Sequence, residues 1–141
     1  MICDENIFMV DKELFIIDKT EFNKVSVASR SDGIMMVEIK ADEDVDIVLV
    51  KRIVNSIEKI GAGKRFPLLI VLGENTLPNA EARSYVATPE SDPYAIAEAY
   101  VINSFTQKLV SNIYTNLNKP ARPTKFFNSQ EKAVEWLKSY L

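Results

Sequence analysis

Residues 66 to 72 read FPLLIVL, a run without a single charge. It is too short for a typical helix, and a strand that is apolar at every position has both of its faces covered. A chain containing it must set layers on either side of a sheet. The residues before it define how that sheet is connected. From Asp44 to Ile60, apolar side chains recur at Val45, Leu49, Ile53, Ile57 and Ile60, widened by Val50 and Val54, which predicts an amphipathic helix. Glu43, Asp44 and Asp46 sit at its positive end, Lys59 near its negative end, and Gly61 just beyond it as a stop. Before the helix, FNKVSVASR and IMMVEIK flank Ser31-Asp32-Gly33, which predicts an antiparallel strand pair over residues 22 to 40. Strand, helix, strand in this order implies a parallel crossover.

The second half repeats the alternation. Pro78 suits the first turn of a short helix, NAEARSYVA, and PESDP (residues 89 to 93) reads as a loop. Residues 94 to 118, YAIAEAYVINSFTQKLVSNIYTNLN, admit two readings: one long helix capped at Asp92, or a buried strand followed by a new helix. Ser104 with Gln107 three residues on is a capping box, and Phe105, Leu109, Ile113 and Leu117 begin in phase with it, so we adopt strand then helix. Lys119-Pro120 ends that helix, and residues 122 to 127 form a last strand, at an edge because of Pro123 within it and Pro120 just before it. Asn128 with Glu131 opens a terminal helix whose Ala133, Val134, Leu137, Tyr140 and Leu141 face inward. Residues 6 to 18 bring two more apolar segments around Asp11-Lys12-Glu13, which predicts a β-hairpin.

At 141 residues the chain fits one domain. With 47% hydrophobic and 26% charged residues it has the composition of a folded protein rather than a disordered one. The net charge of −3 argues against a surface that tracks nucleic-acid phosphates, which needs clustered Lys and Arg. Cys3 is the only cysteine, so no intrachain disulfide forms, and no apolar run is long enough to span a bilayer. The N-terminal MICDENIFMV carries acids where a signal peptide is basic, and we expect a cytoplasmic protein. The absence of histidine removes Ser-His-Asp and Cys-His catalysis and most catalytic zinc sites.

Two stretches carry a family resemblance. RPTKFFNSQEKAVEWLKSYL resembles the P-x-x-x-F-x-x-x-x-x-A-x-x-WL ending of SpoIIAA-like proteins of the STAS superfamily, through Pro123, Phe127, Ala133, Trp136 and Leu137. PLLIVLGENTLPNAEARSY is similar to the central strand and following helix of the same group, and the likeness runs from about residue 32 to the C-terminus. The resemblance implies the α/β fold of bacterial anti-sigma-factor antagonists: a mixed β-sheet covered by helices. It also implies a regulatory loop after the central strand, where members of that group carry a serine that a partner kinase phosphorylates. Here the loop reads Gly73-Glu74-Asn75-Thr76-Leu77, with no serine and with a glutamate already in place. We therefore expect no serine phospho-switch. Thr76 is the loop's hydroxyl, and turn and cap chemistry explains it better than phosphorylation.

Other charged stretches read as structural. Gly61-Ala62-Gly63-Lys64-Arg65 has Glu58 and Arg65 where a phosphate loop needs glycine and Ser or Thr, so it is a helix C-cap. Asp42, Glu43, Asp44 and Asp46 lack calcium-loop spacing and belong to a helix start. Glu98 stands among apolar neighbours and is either paired in the interior or turned to solvent at an edge. Arg83, Lys119, Arg122 and Lys125 either converge at one end of the sheet or scatter over the surface. Trp136, with Phe126, Phe127 and Tyr140, is expected in the core.

Together these features predict an N-terminal hairpin extension over residues 1–21 and a SpoIIAA-like α/β domain over residues 22–141. The expected function is a noncatalytic regulatory or protein-interaction module, homodimeric through residues 7 to 17, with Gly73, Glu74, Asn75, Thr76 and Arg83 as the partner or regulatory loop. The rival is a carrier or sensor of a small apolar ligand held between helices and sheet. No motif nominates a cofactor, a metal or a reaction.

Overall fold

The computed structural model describes residues 14–141, so the expected hairpin turn at residues 11–13 lies outside the described residues. Strand β1 (Ile16–Phe22) turns at Asn23, whose φ of 50° is left-handed, into β2 (Val25–Arg30), and the two pair antiparallel. The strand therefore runs across the expected boundary at residue 21 and belongs to the main sheet. A second turn, closed by the Arg30–Asp32 ion pair at 2.6 Å and by Gly33 at φ 89°, leads to β3 (Met35–Ile39), as the sequence predicts.

Helix α1 (Ile47–Gly61) starts three residues later than its periodicity suggests. Asp46 is its N-cap, accepting from the Leu49 amide at 2.8 Å, while Asp44–Val45 forms a short strand, β4. β4 pairs with another two-residue strand, β6 (Leu77–Pro78), a contact across more than thirty residues that no local period can reveal. Val45 stays buried, but in a strand. Gly61 is the last helical residue, and Ala62 takes the left-handed cap at φ 54°.

The apolar run forms β5 (Phe66–Leu72), with Leu68, Ile70 and Leu72 in one core and Leu69 and Val71 against the other. Pro78 lies in β6, so Asn79 caps α2 (Ala80–Val86), accepting from the Ala82 amide at 2.8 Å. A 3-10 turn at Pro89–Ser91 precedes β7 (Ala95–Val101). Strand then helix is the correct reading: Ser104 and Gln107 close the capping box of α3 (Phe105–Ile113), which passes into a π-helical turn, Tyr114–Asn118. Edge strand β8 (Thr124–Phe127) and helix α4 (Gln130–Lys138) complete the chain, with Ser129 rather than Asn128 as the cap. Ser129 wins because its hydroxyl reaches the Lys132 amide, at 3.3 Å.

Among the described residues the main sheet has the order β1-β2-β3-β5-β7-β8, antiparallel through β3 and parallel from β3 to β8. One face, with Val37, Ile39, Leu68 and Ile70, packs under α1; the other, with Ile34, Leu69, Ala97 and Ala99, packs under Ala133 and Leu137 of α4. Trp136 lies edge-on to Tyr140 and beside Phe127 on that second face, whereas Leu141 is exposed. The apolar series of α3, in phase with its cap, faces outward. Phe105, Leu109, Ile113 and Leu117 are 78%, 48%, 44% and 72% exposed, because Gln107, Ser111 and Tyr114 occupy the side that faces the sheet.

Candidate functional site

The loop after β5 is where the sequence places a partner-facing surface, and its side chains are largely committed to structure. Gly73 is required by close approach: a Cβ there would lie 2.4 Å from the Ala41 nitrogen. Thr76 is fully buried, donating its hydroxyl to the Lys40 carbonyl and accepting from the Glu43 amide at 3.1 Å. Asn75, at φ 64°, donates to Asp42 at 3.2 Å, and the Glu74 carbonyl accepts from the Asp42 amide at 2.9 Å. Arg83 donates to the Pro78 carbonyl at 2.9 Å. Gln107 is the link that sequence reasoning saw only as a cap. Its Nε2 donates to the carbonyls of Gly73 and Thr76 at 2.8 and 2.9 Å, while its Oε1 accepts from the Asn103 amide at 2.8 Å. One buried amide thus ties this loop to the start of α3.

Behind that link lies a cavity of about 110 Å³ between the sheet and helices α1, α2 and α3. Val37, Ile39, Leu68 and Ile70 form its floor, Val50, Ile53 and Val110 part of its roof, and Glu98, Tyr100, Tyr114 and Arg83 its polar border. Glu98 and Tyr100 share a face of β7 because they are two residues apart in a strand. Glu98 is 2% exposed. Its Oε1 accepts from the Tyr100 hydroxyl at 3.0 Å and its Oε2 from Arg122 at 3.4 Å. The same guanidinium donates to the carbonyls of Val86 and Thr88 at 3.0 and 2.8 Å. Arg122 therefore anchors the end of α2 to β7, while Lys119 and Lys125 are exposed, and no anion site assembles from the four basic residues.

Burial dominates the electrostatics of this border. It raises Glu98 to about 7, offset by the Arg122 charge and reinforced by that of Asp92. Asp92, also buried, is raised for the same first reason. Burial and the nearby Glu98 charge push both Tyr100 and Tyr114 upward, so both phenols are neutral. The three rings of Tyr100, Tyr114 and Phe126 lock together, Tyr100 stacked on Phe126 at 4.9 Å and Tyr114 edge-on to both. Among the described residues, the Tyr114 hydroxyl is a buried oxygen with no hydrogen-bond partner.

For Glu98 the sequence left open pairing in the interior or exposure at an edge, and the structure selects the first. Arg122 as its partner, and Tyr114 as a wall, were not legible, since both depend on the pairing of β7 with β8 and on which side of α3 turns inward. Among the described residues no helix is long and apolar enough to cross a membrane.

Comparison with known proteins places this architecture. A family described as a domain of unknown function, DUF7793, matches residues 28–141. No curated protein matches the chain. Among solved structures, an uncharacterised protein of the DUF3478 family from Shewanella loihica PV-4, with a SpoIIAA-like fold, is similar over 88% of this chain and 93% of its own. The TM-score is 0.52 and the sequence identity 12%, a likeness of fold. The SpoIIAA-like resemblance of the sequence is thus a resemblance of architecture.

Proposed function

The chain belongs to the DUF7793 family, and we propose that it acts without catalysis as a cytoplasmic regulatory interaction module that pairs with a second copy of itself through the outer face of α3. The observation that carries this reading is the exposed series Phe105, Leu109, Ile113 and Leu117, four large apolar side chains along one helix. Water-exposed apolar area of this kind is stabilised by burial against a partner. The expected loop surface at residues 73–77 contributes less, because Thr76 and Gly73 are spent on internal contacts. Catalysis has little to work with: the chain has no histidine, and the phenols beside Glu98 stay protonated, so neither is a nucleophile.

Sedimentation velocity from 1 to 100 μM protein tests this reading. A dimer is expected for the native chain and a monomer for the Phe105→Glu, Leu109→Glu double variant, with unchanged far-UV circular dichroism because both positions are exposed. A native chain that sediments as a monomer throughout removes the proposal.

The cavity supports a second reading, a carrier or sensor of a small apolar ligand. Helix α3 separates the two surfaces, with Val110 and Ser111 lining the cavity and Leu109 and Ile113 facing out. A ligand that shifts α3 would alter the interaction face directly.

A further inference from the structure

Protein interiors rarely leave a buried hydroxyl without a partner, because desolvation is then uncompensated. Tyr114 does so at the edge of a cavity large enough to hold a molecule, and Glu98 borders the same space. Tyr114 also sits where α3 becomes π-helical, a distortion frequent at functional sites. Its ring lies edge-on to Tyr100 at 6.4 Å, and Tyr100 donates to Glu98, so Tyr114 and Glu98 line the same end of the cavity.

The chemistry of the border selects a ligand class. A carboxylate entering here would meet two buried acids, Glu98 and Asp92, while Arg122 is already engaged by two carbonyls and Glu98. An ammonium group would be drawn to those acids but would lose its hydration in a space lined mainly by apolar side chains, with Arg122 already paired to Glu98. A neutral hydroxyl fits, since it accepts from the Tyr114 hydroxyl and donates to a Glu98 oxygen. Volume sets the size: an apolar cavity of roughly 150 Å³ holds benzene, so about 110 Å³ suits a body near that size or slightly smaller.

We propose that the cavity binds a small neutral amphiphile of phenol-like or cyclopentanol-like size, its hydrocarbon ring packed among Val37, Ile53, Ile70 and Ile102 and its hydroxyl placed between Tyr114 and Glu98. This deepens the second reading above and names its ligand class.

The test titrates the full chain with phenol, cyclopentanol, benzene and benzoate, following methyl resonances by NMR. Phenol and cyclopentanol are expected to bind about tenfold more tightly than benzene, the worth of one hydrogen bond, and benzoate to bind least. Tyr114→Phe is expected to bring phenol to within about twofold of benzene and to leave benzene unchanged. That variant removes an unpaired hydroxyl, so it is expected to fold as well as the native chain, checked by thermal unfolding. Equal binding of phenol and benzene by the native chain, or an unchanged preference in Tyr114→Phe, overturns the head-group assignment while leaving an apolar ligand site standing. No methyl shift with any of the four probes at millimolar concentration, with water alone filling the space, overturns the ligand reading as a whole.

Discussion

Strand β7 faces both layers, and its two sides are built from different chemistry. Toward α4 it presents Ala97 and Ala99, both fully buried, and the small side chains let the helix backbone run close along the strand with Leu137 and Ala133 filling the gap. Toward α1, α2 and α3 it presents Glu98 and Tyr100, which hold Arg122 and border the cavity. Both faces bury an apolar core, but among the described residues only the one under α1, α2 and α3 leaves a space in it, at the polar border that Glu98 and Tyr100 form. The proposed ligand would occupy the second of these faces.

Breaking the polar side at its anchor has the largest expected effect. Arg122→Ala leaves Glu98 and two carbonyls without their donor and is expected to cost about 3–5 kcal/mol at pH 8, read by urea unfolding. The same variant loses less at pH 5, where Glu98 takes up a proton; an equal loss at both values means that the ion pair is unimportant.

The pH dependence of the native chain sharpens the contrast next. Glu98 titrates at about 7 when folded against 4.5 as its ordinary value. Between those values the folded chain holds a proton that the unfolded chain releases, so this contribution is fully present below 4.5, falls as pH rises, and is gone above about 7. Unfolding free energy is expected to drop by about 3 kcal/mol from pH 4.5 to 8 from this group alone. Asp92, raised in the same direction, adds to it. Glu98→Gln flattens most of the slope; a slope identical to the native one assigns it to other groups.

The smallest effect compares the two faces by volume. Ala99→Leu forces a side chain under α4 and is expected to destabilise by about 1–3 kcal/mol, whereas Val110→Ile grows into the cavity and is expected to stabilise by about 0.5–1 kcal/mol. Equal destabilisation by both substitutions shows that the space beside Val110 is not available to an added methyl group.

Much of the architecture was readable because it rests on local rules. FPLLIVL could only be a doubly covered strand, and the Ser104–Gln107 capping box separated β7 from α3 where propensity alone was ambiguous. The start of α1 and the place of Pro78 were misread because both depend on the pairing of β4 with β6, distant in sequence, and the outward direction of the Phe105 series follows from Gln107 reaching the loop after β5.

By itself the sequence determined most of the order and type of the elements, the absence of imidazole chemistry, and a carboxylate at position 98 among apolar neighbours, since periodicity, capping and composition act within a few residues. Only the tertiary structure decided that Arg122 is its partner, that Thr76 is sealed in, and that a cavity opens beside Tyr114. Strand register and helix rotation bring those groups together across long stretches of chain, and burial then determines which of them are paired and which are left free.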